Sequence, residues 1–261
     1  VEAVIKITTR TKEEGWTLQV KAYETMNDVL TSDESIDLGL NQGGLNASAH
    51  LEYEDFHRHY NQPQIKELVV DGDYYRYDKI DNLSKSHQKA PNWSANVDYE
   101  FNQRHIAGIS YDGYHNTWLS PGDALHIYSK NGQEFQRTHI VSDYHNDMNY
   151  AHVNTFYNAE WTKRLHTSLN LDYAGNSSDY RQLTDETTDA ATVSTLNKSK
   201  SHFHVYAGRL TFDYTLGKQS SLSWGAEYNR VTGNGTADCD KSVVPPSDYQ
   251  QWETKVAAYL E

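Results

Sequence analysis

Apolar and polar residues alternate along much of this chain, in short blocks separated by polar or glycine-containing breaks. The clearest block is 93–101, where Trp93, Ala95, Val97, Tyr99 and Phe101 are apolar and Ser94, Asn96, Asp98 and Glu100 are polar. A period of two predicts a strand with one apolar and one wet face. After Asn102-Gln103-Arg104 the alternation resumes with Ala107, Ile109 and Tyr111, so the pair predicts a hairpin. The same pattern predicts strands at 16–22, 36–40, 45–53, 151–161, 165–173 and 222–228, one running up to 214 and one starting at 252, which makes ten.

The connections alternate in length. Short ones fall at Gln42-Gly43-Gly44, Asn102-Gln103-Arg104, Thr162-Lys163-Arg164 and Gly217-Lys218. Longer ones are expected at 25–34, 55–92, 116–149, 175–201 and 231–250 as polar loops, with short pieces at Leu68-Val69-Val70 and His139-Ile140-Val141 and turns at Asp71-Gly72 and Asn131-Gly132. Several such loops count against a soluble domain, whereas outer-membrane barrels combine short periplasmic turns with long outer loops. With the long connections outside, Tyr53, Trp93, Tyr111, Tyr173, Tyr228 and Trp252 mark the outer end of the apolar face. Trp16, Phe101, Trp161 and Tyr214 mark its inner end, and Leu18, Val20, Ala49, Val97, Ile109, Val153 and Leu171 lie between. Two aromatic girdles around an aliphatic band are expected of strands that cross a bilayer. A soluble β-sheet recognition module would explain the alternation but not the two-ended placement.

Composition narrows the alternatives. Hydrophobic residues are only 37% of the chain, and no run approaches the roughly 18 apolar residues of a membrane-spanning helix. A barrel is compatible with that, because its lumen-facing residues are polar. A net charge of −13 argues against nucleic acid as a partner. The single cysteine, Cys239, excludes an internal disulfide and reads as a loop thiol. Val4-Ile5-Lys6-Ile7-Thr8 begins inside a strand-like run and 255–261 stops inside another, so the chain is expected to be a fragment or to be completed by another polypeptide.

Val1-Glu2-Ala3-Val4-Ile5-Lys6-Ile7-Thr8-Thr9-Arg10, followed by a charged link and an alternating strand, resembles the junction between plug and barrel in TonB-dependent outer-membrane transporters. The hairpin at 92–113 and the stretch Val205-Tyr206-Ala207-Gly208-Arg209-Leu210-Thr211-Phe212-Asp213-Tyr214 resemble the Bacteroidetes-type outer-membrane β-barrel family. The resemblance implies an all-β, antiparallel transmembrane barrel of about 22 strands with a plugged lumen. Residues 1–10 would be the last plug strand and 15–261 the first ten barrel strands with long extracellular loops. It further implies a receptor in the cell outer membrane of a Gram-negative bacterium that imports a nutrient ligand, whether small molecule, glycan or peptide. Its partners would be outer-membrane lipid, an inner-membrane energy-coupling complex reached through the plug, and a surface lipoprotein. A non-transporting adhesin or receptor barrel is the alternative.

Candidate chemistry is sparse. The cluster Tyr74, Tyr75, Arg76 and Tyr77, with Trp118, could form a stacking surface for such a ligand, since aromatics bury large area at little entropic cost. His57 and His59, like His202 and His204, are spaced to share a strand face and could ligate a metal. Incidental use of these histidines on wet surfaces is the preferred reading, with no metal and no cofactor. Glu52 and Glu54, and Asp98 and Glu100, fall on the wet face as lumen charge, and no nucleophile with a base and an orienting residue is recognisable, so no enzyme is expected.

Overall fold

The computed structural model describes residues 14–27, 29–60, 63–81, 84–217, 220–241 and 245–261. The strand expected within residues 1–10 and Lys218 of the Gly217-Lys218 turn lie outside them. Among the described residues twelve strands form one antiparallel sheet: β1 (Gly15–Asn27), β2 (Val29–Gln42), β3 (Leu45–Tyr60), β4 (Gln64–Val70), β5 (Asp73–Asp81), β6 (Ser84–Asn102), β7 (His105–Lys130), β8 (Gln133–Thr162), β9 (Leu165–Thr187), β10 (Thr192–Thr215), β11 (Ser221–Cys239) and β12 (Ser247–Leu260). The main path runs β1-β2-β3-β6-β7-β8-β9-β10-β11-β12, and these ten strands contain the ten read from the alternation. β4 and β5 stand off the path, β4 pairing β5 and β5 pairing β7.

The segments expected as long loops are strands. β7 and β8 pair from the apolar band to Ser129 and Lys130 with one bulge, at Tyr128/Ser129, and only Asn131-Gly132 turns the chain. β9 and β10 likewise pair out to Thr187 and Thr192. β11 with β12 runs to Ala237 and Ser247, and β1 with β2 to Asn27 and Val29. The period of two is lost in these stretches because apolar residues there fall on both faces or on neither, while the backbone ladder continues. Asp71 (φ 52) with Gly72 (φ 86), and Asn131 (φ 50) with Gly132 (φ 82), have positive φ at both central positions, as a type I′ hairpin turn requires.

The sheet is a single layer. Among the described residues the buried hydrophobics are three alanines, Ala90, Ala124 and Ala159, and no large side chain is fully buried. Trp16 (74%), Val20 (65%) and Val256 (75%) stand bare on the apolar face. A soluble domain covers such a face with a second layer, so the soluble-module alternative is not supported by this packing.

Register aligns the apolar residues across the ladders. One row reads Val20, Ile36, Leu51, Trp93, Gly113, Ala151, Gly175, His204, Thr232, Trp252. The next reads Leu18, Leu38, Ala49, Ala95, Tyr111, Val153, Tyr173, Tyr206, Arg230, Thr254. The band drifts along these rows. Tyr53 lies two residues above Leu51 in β3 and Tyr228 four below Thr232 in β11, so the outer aromatics descend six residues over six ladders. One residue per ladder, at about 3.3 Å rise and about 4.8 Å strand spacing, corresponds to strands tilted by about 35° to the normal of a level band. Trp252 departs from this line: it lies in the Trp93 row, four residues above the Tyr228 level, which β12 meets at Val256.

Candidate functional site

The site is built on the face opposite the apolar band, where the strands extend beyond the aromatic ends. Even-numbered residues of β7, β8 and β9 share this face with the odd-numbered residues of β5. Trp118 of β7, Tyr144 of β8 and Tyr180 of β9 form a chain of edge contacts, with centroids 6.2 Å and 5.4 Å apart. Beside them a cavity of about 510 Å³ opens between Lys79, Asp81, Trp118, His126, Tyr144 and Gln182. Lys79 Nζ lies 2.9 Å from Asp81, whose side chain is only 1% exposed. His126 packs edge-on to Tyr77 at 5.3 Å, and burial, then the Lys79 charge, holds its imidazole below the usual histidine range.

Above the cavity, Tyr77 contacts Tyr128, and Tyr128 contacts Phe135. Phe135 gets there through a bulge: Tyr128 pairs with Gln136 and Ser129 with Glu134, leaving Phe135 unpaired. A bulge re-aims a side chain in this way. Lys66, Tyr75, Tyr77, Tyr128 and Phe135 line a smaller, mostly apolar recess of about 230 Å³.

The predicted cluster Tyr74, Tyr75, Arg76 and Tyr77 therefore divides. Consecutive strand residues point to opposite faces, so Tyr75 and Tyr77 join the face of Trp118 while Tyr74 and Arg76 face the other way. Tyr74 donates to Glu67, and Arg76 makes a forked pair with Asp78 at 2.7 and 2.8 Å. Trp118 shares the face of Tyr75 and Tyr77 but stands ten residues lower on β7 than Tyr128, the partner of Tyr77. Lys79, Asp81, His126, Tyr144 and Tyr180 belong to the site and were not singled out by sequence. The signal available for the two tyrosines was an aromatic residue at wet-face parity.

No protein-family model matches the chain, and no curated protein matches it. Among solved structures, it is similar to the ferric preacinetobactin receptor BauA of Acinetobacter baumannii, with 9% identity, a TM-score of 0.39, and coverage of 94% of this chain and 45% of that one. The siderophore receptor PiuA of the same organism (8%, TM-score 0.40) is covered over 46% of its length by 95% of this chain. The ferric yersiniabactin uptake receptor FyuA of Yersinia pestis (7%, TM-score 0.39) is covered over 44% by 97% of it. The chain thus spans less than half the length of each of these receptors.

Below the aromatic cavity the same wall is a hydrogen-bonded polar ladder. His50 Nδ1 lies 2.7 Å from Asp37, and Asn92 donates to Glu52 at 3.0 Å. Asn46 donates to Asp98 at 3.0 Å, and His152 sits between Asp112 (2.8 Å) and Asp172 (3.5 Å). Glu52 and Asp98, each half of a predicted carboxylate pair, are thus held in place by amides. Of the histidine pairs, His204 Nδ1 meets the Tyr173 hydroxyl at 3.0 Å, and His57 stacks on His87, its cross-strand partner.

Proposed function

We propose that this chain is a wall segment of an outer-membrane transport receptor of the TonB-dependent type in a Gram-negative bacterium. It binds a nutrient ligand on the inner wall of its outer extension. The observation that carries the reading is the bare apolar band, drifting one residue per ladder and bounded by aromatics, on a sheet whose other face is polar. Such a band lies level in a bilayer only when the strands tilt by roughly 35–45°, as barrel strands do. The polar ladder then lines a lumen, and the cavity beside Trp118 opens above it. Stacking faces, the half-exposed Lys79 paired with a buried Asp81, and the amide and hydroxyl groups of Gln182 and Ser120 on the cavity lining suit a ligand with flat apolar parts and many hydrogen-bonding groups. Import through the lumen, energised from the inner membrane through a plug, is the activity; no covalent chemistry is assigned to these residues.

The test uses the intact gene product in its native host. Outer-membrane fractionation, with extraction only by detergent, is expected. Deletion of the gene, or of the inner-membrane coupling complex, is expected to abolish growth on the same limiting nutrient. Soluble fractionation would overturn the membrane reading. Nutrient-limited growth unaffected by either deletion would leave a receptor or adhesin without transport.

A further inference from the structure

We infer that Asp55, His57 and His87 form a binding site for one divalent zinc ion on the outward face of the sheet, beyond the outer aromatic ends. His57 of β3 is the direct cross-strand partner of His87 of β6. Their rings stack with centroids 3.9 Å apart and 15° between planes. Asp55, two residues before His57, lies on the same face, with Oδ1 at 2.7 Å from His87 Nε2 and 3.4 Å from His57 Nδ1. Donor atoms of the three residues lie within 4.8 Å of one another. All three side chains are 27% exposed, enough for an ion to enter and too little for bulk water to dominate the site.

The local hydrogen bonds suit a metal. His57 Nδ1 is 3.0 Å from the carbonyl oxygen of Leu30, which can only accept, so the proton is on Nδ1 and the lone pair on Nε2. A ligating histidine is commonly fixed by a backbone carbonyl in this way. For His87 Nε2 to meet the ion, the proton it shares with Asp55 must leave that nitrogen and the ring must carry its one proton on Nδ1, the neutral ligating tautomer. The rings stand parallel, so one imidazole turns about χ2, a broad and soft torsion, to bring both nitrogens onto the ion. Two imidazoles and one carboxylate select a borderline ion such as zinc, and leave a fourth position for water. Calcium and magnesium are disfavoured, since they demand an oxygen shell.

The position gives the ion a structural consequence. β3 and β4 ascend and β5 and β6 return, β3 being described to Tyr60 and β4 from Gln64, β5 to Asp81 and β6 from Ser84. The pair His57 and His87 lies three residues below the described upper ends of β3 and β6 and ties these strands together at the height above which β5 is the strand that pairs β7.

Zinc is titrated into the full-length, chelator-stripped protein in detergent, in competition with a chromogenic chelator. One tight zinc per chain is expected, with no competition from calcium. His87→Gln and Asp55→Asn should each weaken it by at least about 10-fold, while His204→Gln, removing another half-exposed histidine, should leave it unchanged. X-ray absorption of the zinc-loaded wild-type protein should show two imidazole ligands and an oxygen shell, and needs no variant to fold. Equal zinc affinity in wild type and His87→Gln, or an absorption spectrum without paired imidazoles, overturns the proposal.

Discussion

Gly113 shows how closely the neighbouring strands β6 and β8 approach β7. A Cβ there would lie 2.7 Å from the Tyr150 carbonyl and 2.9 Å from the Trp93 indole nitrogen, so the indole lies across the glycine of the neighbouring strand. Gly113→Val should displace Trp93 and cost about 1–3 kcal/mol, the usual range for overpacking, measured by denaturant unfolding in lipid vesicles. His126 provides a second residue-level test. Its folded pKa lies below the ordinary 6.5, so the unfolded extension takes up a proton first. Stability is therefore unaffected above the ordinary value and falls as pH drops through 6.5 toward the lower folded value. Protection of the amides along β5 and the outer half of β7, taken relative to their intrinsic exchange rate at each pH, should fall between pH 7.5 and 5, and His126→Gln should remove that dependence.

The β4–β5 hairpin is fastened to the β7–β8 hairpin at its turn. Asn131 N donates to the Tyr74 carbonyl at 2.7 Å, Tyr74 N donates to Asn131 Oδ1 at 2.8 Å, and Asn131 Nδ2 donates to Asp73 at 2.8 Å. Lys130 Nζ lies 2.7 Å from Asp73, and bonds from Lys130 and Asn131 hold the Asp73 carboxyl below its usual range. This attachment is present above the ordinary aspartate pKa and is lost as pH falls through the lower folded value. Asn131→Ala should weaken the docking by about 1–2 kcal/mol, read as faster amide exchange confined to β4 and β5, with global unfolding unchanged. At this scale the sequence was partly legible. Asp71-Gly72 and Asn131-Gly132 announced the turns, because few residue pairs accept two positive φ values. The strands leading to them were hidden, since hydropathy reports a strand only where one face is dry. The aromatic cavity was hidden for a related reason: Trp118, Tyr144 and Tyr180 come from three strands, and only register brings them together.

For the whole molecule, the ten strands and their apolar faces were readable because the apolar residues there keep mostly to every second position. The tilt emerged only from pairing, which no single strand encodes. The membrane reading makes the two faces energetically unequal. Val97→Arg, at the middle of the band, should cost about 2–4 kcal/mol in lipid, whereas Asn96→Arg on the polar face should cost much less. Unfolding titrations of both variants in the same vesicles measure the difference, and equal costs would contradict the assignment of faces.

The tilt also has a geometric effect far from the bilayer. From Tyr111 to Lys130, β7 continues for about 60 Å at roughly 3.3 Å per residue. A ribbon of that length inclined at about 35° ends about 35 Å sideways from its base. The crown of the wall therefore leans: the turn at Asn131-Gly132 overhangs strands several places along from the one that carries it. A tether or crosslinker anchored at that turn would report on those distant strands, and length matched to the immediate neighbours of β7 would fall short.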